Sequence, residues 1–570
     1  MLDVILSGLV SASLYAIAGL GLGVVYRATK VLNFAMGGFG ALATYAAYNL
    51  IGHGAPYWLV FVTAIAVGAA IGGLAELGVN RRLARLSPLT ITMGSLGLLL
   101  VLEGAVGTWY DYSTRALPPM LGSETALRIG SSSLSANQVA IIVVAVIVAV
   151  ALALLTNRTR YGLAMRAVSS GPHTSELLGV DVTRVRLGAW VLGGVCGAIA
   201  AMLVTPLTYL SPGSFASFML SAFTAAVLGG FNRIRGLIVG ALVFGVGLNL
   251  LESYLSTRLT NTYMFVVIAL VLLIRPSGVF GGREREVTEV ASAQAAPAPA
   301  RELPVARRAS TIRGAGWVLV GVAFVVCPYV LAEPHVYLLA LALSTFIAVA
   351  GLNVITGYTG QVSVGHSGFL AVGAYAAAVA GSHASVPIGL LLPIALVAGA
   401  VVGVVVGLPA TRLRGVYLAL FTLVFSFMVP ELVLWFGRYT GGPNGLALSP
   451  PAFAYGVRGL YWFTLAIATA VALILMVAQR GRIGRGWRAV RDSEDGARAA
   501  GIGPTTVKVA AFAFGSALAG LSGALSGMQV GIVSPQGYDV LISIYMLLAV
   551  ILGGSSSIFG SLLGALFITL

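Results

Sequence analysis

Residues 161–186 read YGLAMRAVSSGPHTSELLGVDVTRVR and residues 483–508 read IGRGWRAVRDSEDGARAAGIGPTTVK. Laid over one another without a gap, at an offset of 322, they match Arg166 with Arg488, Val168 with Val490 and Gly179 with Gly501. Each copy then runs into a Gly/Ala-rich apolar segment. The second copy is conspicuously polar: of the 25 residues from Gly484 to Lys508, eight are charged, against 9% of the whole chain. Recurrence of one such element at a fixed spacing points to two copies of one module.

Composition fixes what kind of module. A chain of 570 residues that is 58% hydrophobic and 9% charged, with a mean hydropathy of +0.97, carries more apolar surface than a soluble core can hide. Apolar runs recur from 3–26 to 558–570, about 18 in all, bounded by Arg, Pro or polar residues. The expected fold is an all-α polytopic membrane protein. The shorter runs, 215–230 and 558–570, read as tilted, broken or re-entrant. The amino terminus has no basic leader and reads as an uncleaved first span.

Threaded alternately, these spans place all of the 33 Lys and Arg on one side except Arg115, Arg128, Arg258, Arg438 and Arg458. The positive-inside rule makes that side cytoplasmic, so both charged copies face the cytoplasm and the net charge of +15 reports orientation rather than a nucleic-acid partner.

Other segments repeat in the same order. LNFAMGGFGALATYAA, from Leu32, parallels VSVGHSGFLAVGAYAA, from Val362; LGGFNRIRGLIVGAL, from Leu228, parallels LGGSSSIFGSLLGAL, from Leu552; Glu103 falls opposite Glu431. Between the copies lies GGREREVTEVASAQAAPAPARELPVARRASTIR, without apolar periodicity. The division is a first module over 1–280, a flexible cytoplasmic linker over 281–313 and a second module over 314–570. The modules read as a parallel repeat related by a pseudo-two-fold axis along the membrane normal, and an extra span, Trp317 to Ala332, returns the chain to the outer side. Module one continues past Val246, the counterpart of Leu570, so module two is expected to lack its last span.

Several functions are excluded. Lys30 and Lys508 are preceded by Thr29 and Val507 where a phosphate loop needs glycine, so no P-loop exists in the chain. Cys196 and Cys327 lie far apart in apolar surroundings and suggest neither a disulfide nor a metal site. No nucleophile elbow or paired catalytic carboxylates are seen, so the protein reads as no enzyme and needs no cofactor. A solvated loop whose charge only sets topology would explain the arginines but not their recurrence with a glycine in both modules. The better reading is a docking surface for a cytoplasmic partner. On one helix Trp487, Arg491, Glu494 and Arg498 would share a face.

The stretch from Gly484 into VAAFAFGSALAGLSGAL resembles the cytoplasmic loop of the membrane subunits of ATP-driven branched-chain amino acid importers. GLNVITGYTGQVSVGHSGFLAVGAY (351–375) and TGGPNGL (440–446) are similar to the LivM-like permease of that family; VVYRATKVLNFAMGGFGALATY (24–45) and RPSGVFG (275–281) resemble the LivH-like one. The resemblance implies a fused pair of permease halves in a bacterial plasma membrane, moving branched-chain or related hydrophobic amino acids inward by alternating access. It implies two cytoplasmic ATPase subunits docked at Arg166, Glu176 and Gly179 in one loop and at Arg488, Arg491, Glu494, Arg498 and Gly501 in the other. An extracytoplasmic binding protein would deliver the small-molecule substrate. Importers of urea, short amides or another small metabolite share the architecture, and an ion-coupled secondary transporter is the reading from a different class.

A translocation path should be lined by small residues, unwound backbone and a few polar side chains. The candidates are Asn33, Gly37 and Gly38 in module one and Ser363, Gly365, His366 and Ser367 in module two. Taken alone, His366 reads more simply as a packing histidine. Glu103 and Glu431 join the list because carboxylates within spans are costly; each could meet a substrate ammonium, pair with Arg115 or Arg438, or cap a helix.

Overall fold

The structure is a computed structural model that describes residues 1–83, 88–122, 124–129, 132–231, 233–275, 278–279, 321–384, 386–413 and 415–570. The linker over 281–313 lies outside the described residues. Each of the expected apolar segments carries a helix over its described residues, the arrangement lipid demands because a helix satisfies its backbone groups internally. Among the described residues thirteen helices are long and apolar enough to cross a membrane, while Phe215–Gly229, Gly321–Val330 and Ile558–Thr569 are shorter. Eighteen therefore counts apolar helical segments, not full crossings. Two small antiparallel pairs, Thr125–Ile129 with Ser132–Ser135 and Leu446–Ala447 with Ile532–Val533, are the sheets among the described residues.

The chain divides into two compact units. One comprises Met1–Arg283 with Leu408–Trp435, the other Glu284–Gly407 with Phe436–Leu570. In the first, helix Leu2–Thr29 is the core element and packs against Ala136–Arg158, Val182–Val204, Phe215–Gly229 and Ile234–Tyr254. It is apolar on all faces, as a helix surrounded by protein should be. In the second unit, Glu333–Asn353 has the same role against Val457–Arg480, Pro504–Val530, Val540–Gly553 and Ile558–Thr569, which are the repeat counterparts of those four. The sequence repeat is thus a repeat of packing.

Glycine sets the approach of these helices. A methyl group at Gly194 would run into the Gly68 carbonyl, and a Cβ at Gly515 would lie 2.6 Å from the Gly351 carbonyl oxygen. Small residues at such crossings let backbones touch where lipid gives no hydrophobic drive to associate.

One segment does not follow the division read from sequence. Helix Val416–Trp435, which the repeat assigns to module two, groups with the first unit and packs on Thr260–Ile274. There Phe265 stacks on Phe421 with ring centroids 5.0 Å apart and tilts against Phe425 at 5.9 Å.

Candidate functional site

The two charged copies fold into the same bracket. Span Ala136–Arg158 is followed by helix Arg160–Ser170, an extended Gly171, helix Pro172–Leu177, and then span Val182–Val204. Span Val457–Arg480 is followed by Arg482–Asp492, an extended Ser493, Glu494–Ala499 and span Pro504–Val530. Trp487, Arg491, Glu494 and Arg498 therefore do not lie on one helix. Ser493 interrupts it, its hydroxyl accepting from Gly496 N at 3.0 Å to cap the second helix, and Pro172 forces the corresponding break in the first copy.

Both brackets bury one stripe and expose the other. Gly162, Met165, Val168 and Ser175 are buried in the first; Gly484, Trp487, Val490 and Ala497, at matching positions, are buried in the second. Both close with a left-handed glycine, Gly179 at φ 82° and Gly501 at φ 76°. Gly179 N donates to Glu176 O at 2.9 Å and Val180 N to Ser175 O at 3.0 Å; Gly501 N donates to Arg498 O at 3.0 Å and Ile502 N to Ala497 O at 2.9 Å. This is a Schellman closure, and it needs a residue without a Cβ penalty. A Cβ at either glycine would meet nothing within 4 Å, so conformation alone selects glycine there.

The arginines at matching positions have matching bonds. Arg166 Nη1 donates to Thr156 O at 3.3 Å and Arg488 Nη2 to Gln479 O at 3.4 Å, each holding a carbonyl near the end of the preceding span. Tyr161 donates its hydroxyl to Val185 O at 2.8 Å, and burial pushes its phenol above the ordinary range, which keeps it a donor.

The pattern left two ion pairs unread, each with one buried partner. Arg186 and Lys508 are repeat counterparts, yet Arg186 Nε sits 3.1 Å from Glu76 Oε1 whereas Lys508 Nζ sits 2.5 Å from Glu494 Oε1. Glu76 and Lys508 are 2% and 6% exposed. Glu76 opens a π-helical turn, Glu76–Asn80, after Tyr57–Ala75, whereas Glu494 belongs to the bracket itself. Glu494 is thus an internal tie, while Glu176, Leu177, Leu178, Arg498, Ala499 and Ala500 remain exposed. The shared position of two cations was the only signal in the sequence; their anions come from unrelated places.

Each unit also contains a buried interruption of helix at the predicted place. The first lies between Leu2–Thr29 and Met36–Gly52; the second between the π-turn Val354–Tyr358 and His366–His383. Asn33, Ser363 and His366 are wholly buried. Among the described residues neither amide atom of Asn33 has a hydrogen-bond partner, nor has Ser363 Oγ or His366 Nδ1. His366 Nε2 donates to Ala348 O at 3.1 Å. Gly365 supplies the residue before the His366–His383 helix, and Ser367 N donates to Ser543 Oγ at 2.7 Å. Gly37 and Gly38 serve packing: a Cβ would come 2.9 Å from Met219 Cγ and 3.2 Å from Leu102 Cβ.

Glu431 is fully engaged. Its carboxylate accepts from Asn261 N at 2.8 Å, Asn261 Nδ2 at 2.9 Å, Thr262 N at 2.9 Å and Thr262 Oγ1 at 3.1 Å. Of the roles open to it in the sequence, the structure shows that of a helix cap, satisfying the amino-terminal N–H groups of Thr260–Ile274 from a different helix. Glu103 lies half-buried in Pro88–Tyr110. Arg115 is occupied by Tyr110 O at 2.6 Å and by the rings of Tyr45 and Tyr48.

Two homologous helical units, each with a charged bracket and a buried polar break, define a multi-pass membrane transport permease. Residues 4–275 and again 335–570 match the family model described as branched-chain amino acid transport system / permease component, and the chain belongs to that family. Its halves resemble different relatives. The high-affinity branched-chain amino acid transport system permease protein LivM of Salmonella typhimurium is 30% identical over 269 residues, 42% of this chain and 63% of LivM. LivH of Escherichia coli is 29% identical over 294 residues, 49% of this chain and 95% of LivH. BraD of Pseudomonas aeruginosa is 29% identical over 300 residues, 50% of this chain and 97% of BraD. The LivH-like and LivM-like matches cover separate halves, as a fusion of the two requires.

Proposed function

We propose that this chain is the membrane component of an ATP-driven importer that carries branched-chain or related hydrophobic amino acids across a bacterial plasma membrane by alternating access. The observation that carries the reading is the doubled bracket: the same buried stripe, the same glycine closure and the same exposed outer face in both halves. Its exposed outer face is where a cytoplasmic ATPase subunit docks, one beneath each half, since the chain has no phosphate loop of its own. Each bracket passes through a short glycine-closed turn into a buried span, so a push on it reaches the core of its unit. An extracytoplasmic binding protein delivers substrate on the other side.

The path for substrate passes the two breaks. A buried polar atom left unpaired costs about 1–3 kcal/mol, and Asn33, Ser363 and His366 each carry at least one. Such groups earn retention when a passing amino acid or its water supplies the missing partner. With both carboxylate oxygens of Glu431 bonded within the protein, that residue supports the scaffold of the path rather than its lining.

The test is capture and transport. ATPase subunits of the importer should copurify with the wild-type chain, and proteoliposomes holding the full complex should accumulate leucine, isoleucine or valine only with ATP. Leu177 and Leu178 are 76% and 78% exposed, so changing both to Asp, together with Arg498→Glu, should abolish capture without unfolding the chain. Undiminished capture by this triple variant would sink the docking assignment.

A further inference from the structure

We infer that Arg491 is a positioning residue for transport: from the bracket it reaches inward and holds the end of the π-turn that leads into the break carrying Ser363 and His366. The inference rests on the reading of the brackets as docking points, and reverses the direction in which this residue acts. Arg491 Nη1 donates to Gly357 O at 3.2 Å and to Ser556 Oγ at 2.8 Å, and Ser556 Oγ donates to the same Gly357 carbonyl at 2.6 Å. Gly357 belongs to the π-turn Val354–Tyr358, whose last carbonyls have no partner further along the helix. A guanidinium there meets both the loose carbonyl and the negative end of the helix dipole.

The neighbouring geometry is built around that arm. Gly360 has φ 71°, and a Cβ on it would lie 3.1 Å from Arg491 Cγ, so the chain yields space to the arginine. Trp487, one turn earlier on the same helix, packs against Tyr358 with centroids 5.8 Å apart, and Gln479 bonds the Tyr358 hydroxyl. Asn353 fastens the other side, its Oδ1 accepting from Ser556 N at 2.8 Å and its Nδ2 donating to Ser561 Oγ at 2.8 Å. Beyond the pin the chain runs through Thr359 and Gln361, joined at 2.9 Å, directly to Ser363.

The first half is wired differently. The repeat counterpart of Arg491 is Ser169, and that of Gly360 is Lys30, itself left-handed at φ 57° with its amide bonded to Tyr26 O at 2.8 Å. There the cation at the end of the core helix belongs to that helix's own chain segment, and its Nζ lies over the Tyr26 ring at 5.4 Å. Only in the second half does the bracket supply this cation. Displacement of the second bracket therefore withdraws the pin and frees the break, whereas displacement of the first leaves its own cation in place.

Hydrogen exchange on the purified full chain tests the pin without any partner. Arg491→Ala should speed exchange across 354–366 by about tenfold to a hundredfold, the loss expected for charge-assisted bonds, while Arg482–Asp492 stays protected. Arg491→Lys should recover much of that protection. In the reconstituted complex the Ala variant should still capture the ATPases but transport at least tenfold less substrate per ATP hydrolysed. Unchanged exchange over 354–366 in the Ala variant overturns the pin, and so does loss of transport only in step with loss of the ATPases. Failure of the wild-type chain to capture any ATPase would instead strike the proposed function, and the exchange result would still decide the pin.

Discussion

Glu494→Gln separates the internal tie from the docking surface. Lys508 is 6% exposed and Glu494 21%, so the change leaves an ammonium almost out of water with its carboxylate gone. Breaking a fully buried pair costs about 3–5 kcal/mol; the partial exposure of Glu494 brings the figure to roughly 2–3 kcal/mol by solvent screening. At a factor of ten per 1.4 kcal/mol, local opening of Glu494–Ala499 should become about 30- to 140-fold more frequent. Hydrogen-exchange mass spectrometry on the detergent-solubilised chain reads this directly. Exchange should accelerate over 494–502 and stay unchanged over Pro172–Leu177, which has no such tie. Glu494→Gln combined with Lys508→Met should restore protection, because an apolar side chain needs no counter-charge in that place. Equal exchange in wild type and Glu494→Gln, or a double variant as loose as the single, would refute the account of this pair.

Other expectations follow from the same contacts. Glu431→Gln offers one acceptor to four donors and should cost about 2 kcal/mol through unsatisfied groups at the start of Thr260–Ile274; a lower melting temperature with an unaltered KM for uptake is expected, and a raised KM at unchanged stability would restore substrate contact. Gly179→Ala and Gly501→Ala place a Cβ residue in the left-handed region and should each cost about 1–2 kcal/mol, with Asn milder than Ala at both, read by protease sensitivity of the brackets; equal sensitivity of all four variants and wild type would contradict the Schellman closure. Glu76→Gln should destabilise the first unit less than Glu494→Gln affects the second, because the cation it strands, Arg186, is 17% exposed against 6% for Lys508; thermal unfolding of the two variants side by side checks the order.

The apolar periodicity carried the spans, and the offset of 322 carried the brackets, because both are local properties of the chain. Gly179 and Gly501 were visible as a coincidence whose cause, a left-handed closure, only the backbone shows. The break segments were legible from Asn33 and Ser363, polar residues set among glycines in apolar surroundings. Three features were not. Ser493 and Pro172 split what looked like a continuous helical face. Helix Val416–Trp435 packs with the first unit, since repeat position says nothing about which surface a span finds. The anions of Arg186 and Lys508 lie 110 positions upstream in one case and 14 in the other, and a pairing of that kind is set by packing rather than by spacing.

The two halves therefore share positions of charge without sharing its sources. At the start of the span after each bracket stands a cation, neutralised by the end of a neighbouring span in one half and by the bracket in the other. At the end of each core helix stands a second cation, supplied by the chain itself in one half and by the bracket in the other. Both differences run the same way. In the second half the bracket holds two electrostatic links to its core, and in the first half those links bypass it. The first bracket meets its core by packing instead, helix Arg160–Ser170 lying against Leu2–Thr29 and Val182–Val204, with Arg166 and Tyr161 bonded to Thr156 O and Val185 O. Exchanging the two brackets within this chain should therefore strand Lys508 and remove the Arg491 pin in the second half, while Arg186–Glu76 and Lys30 in the first keep their places; faster hydrogen exchange over 354–366 without a change over 76–80 is the expected readout.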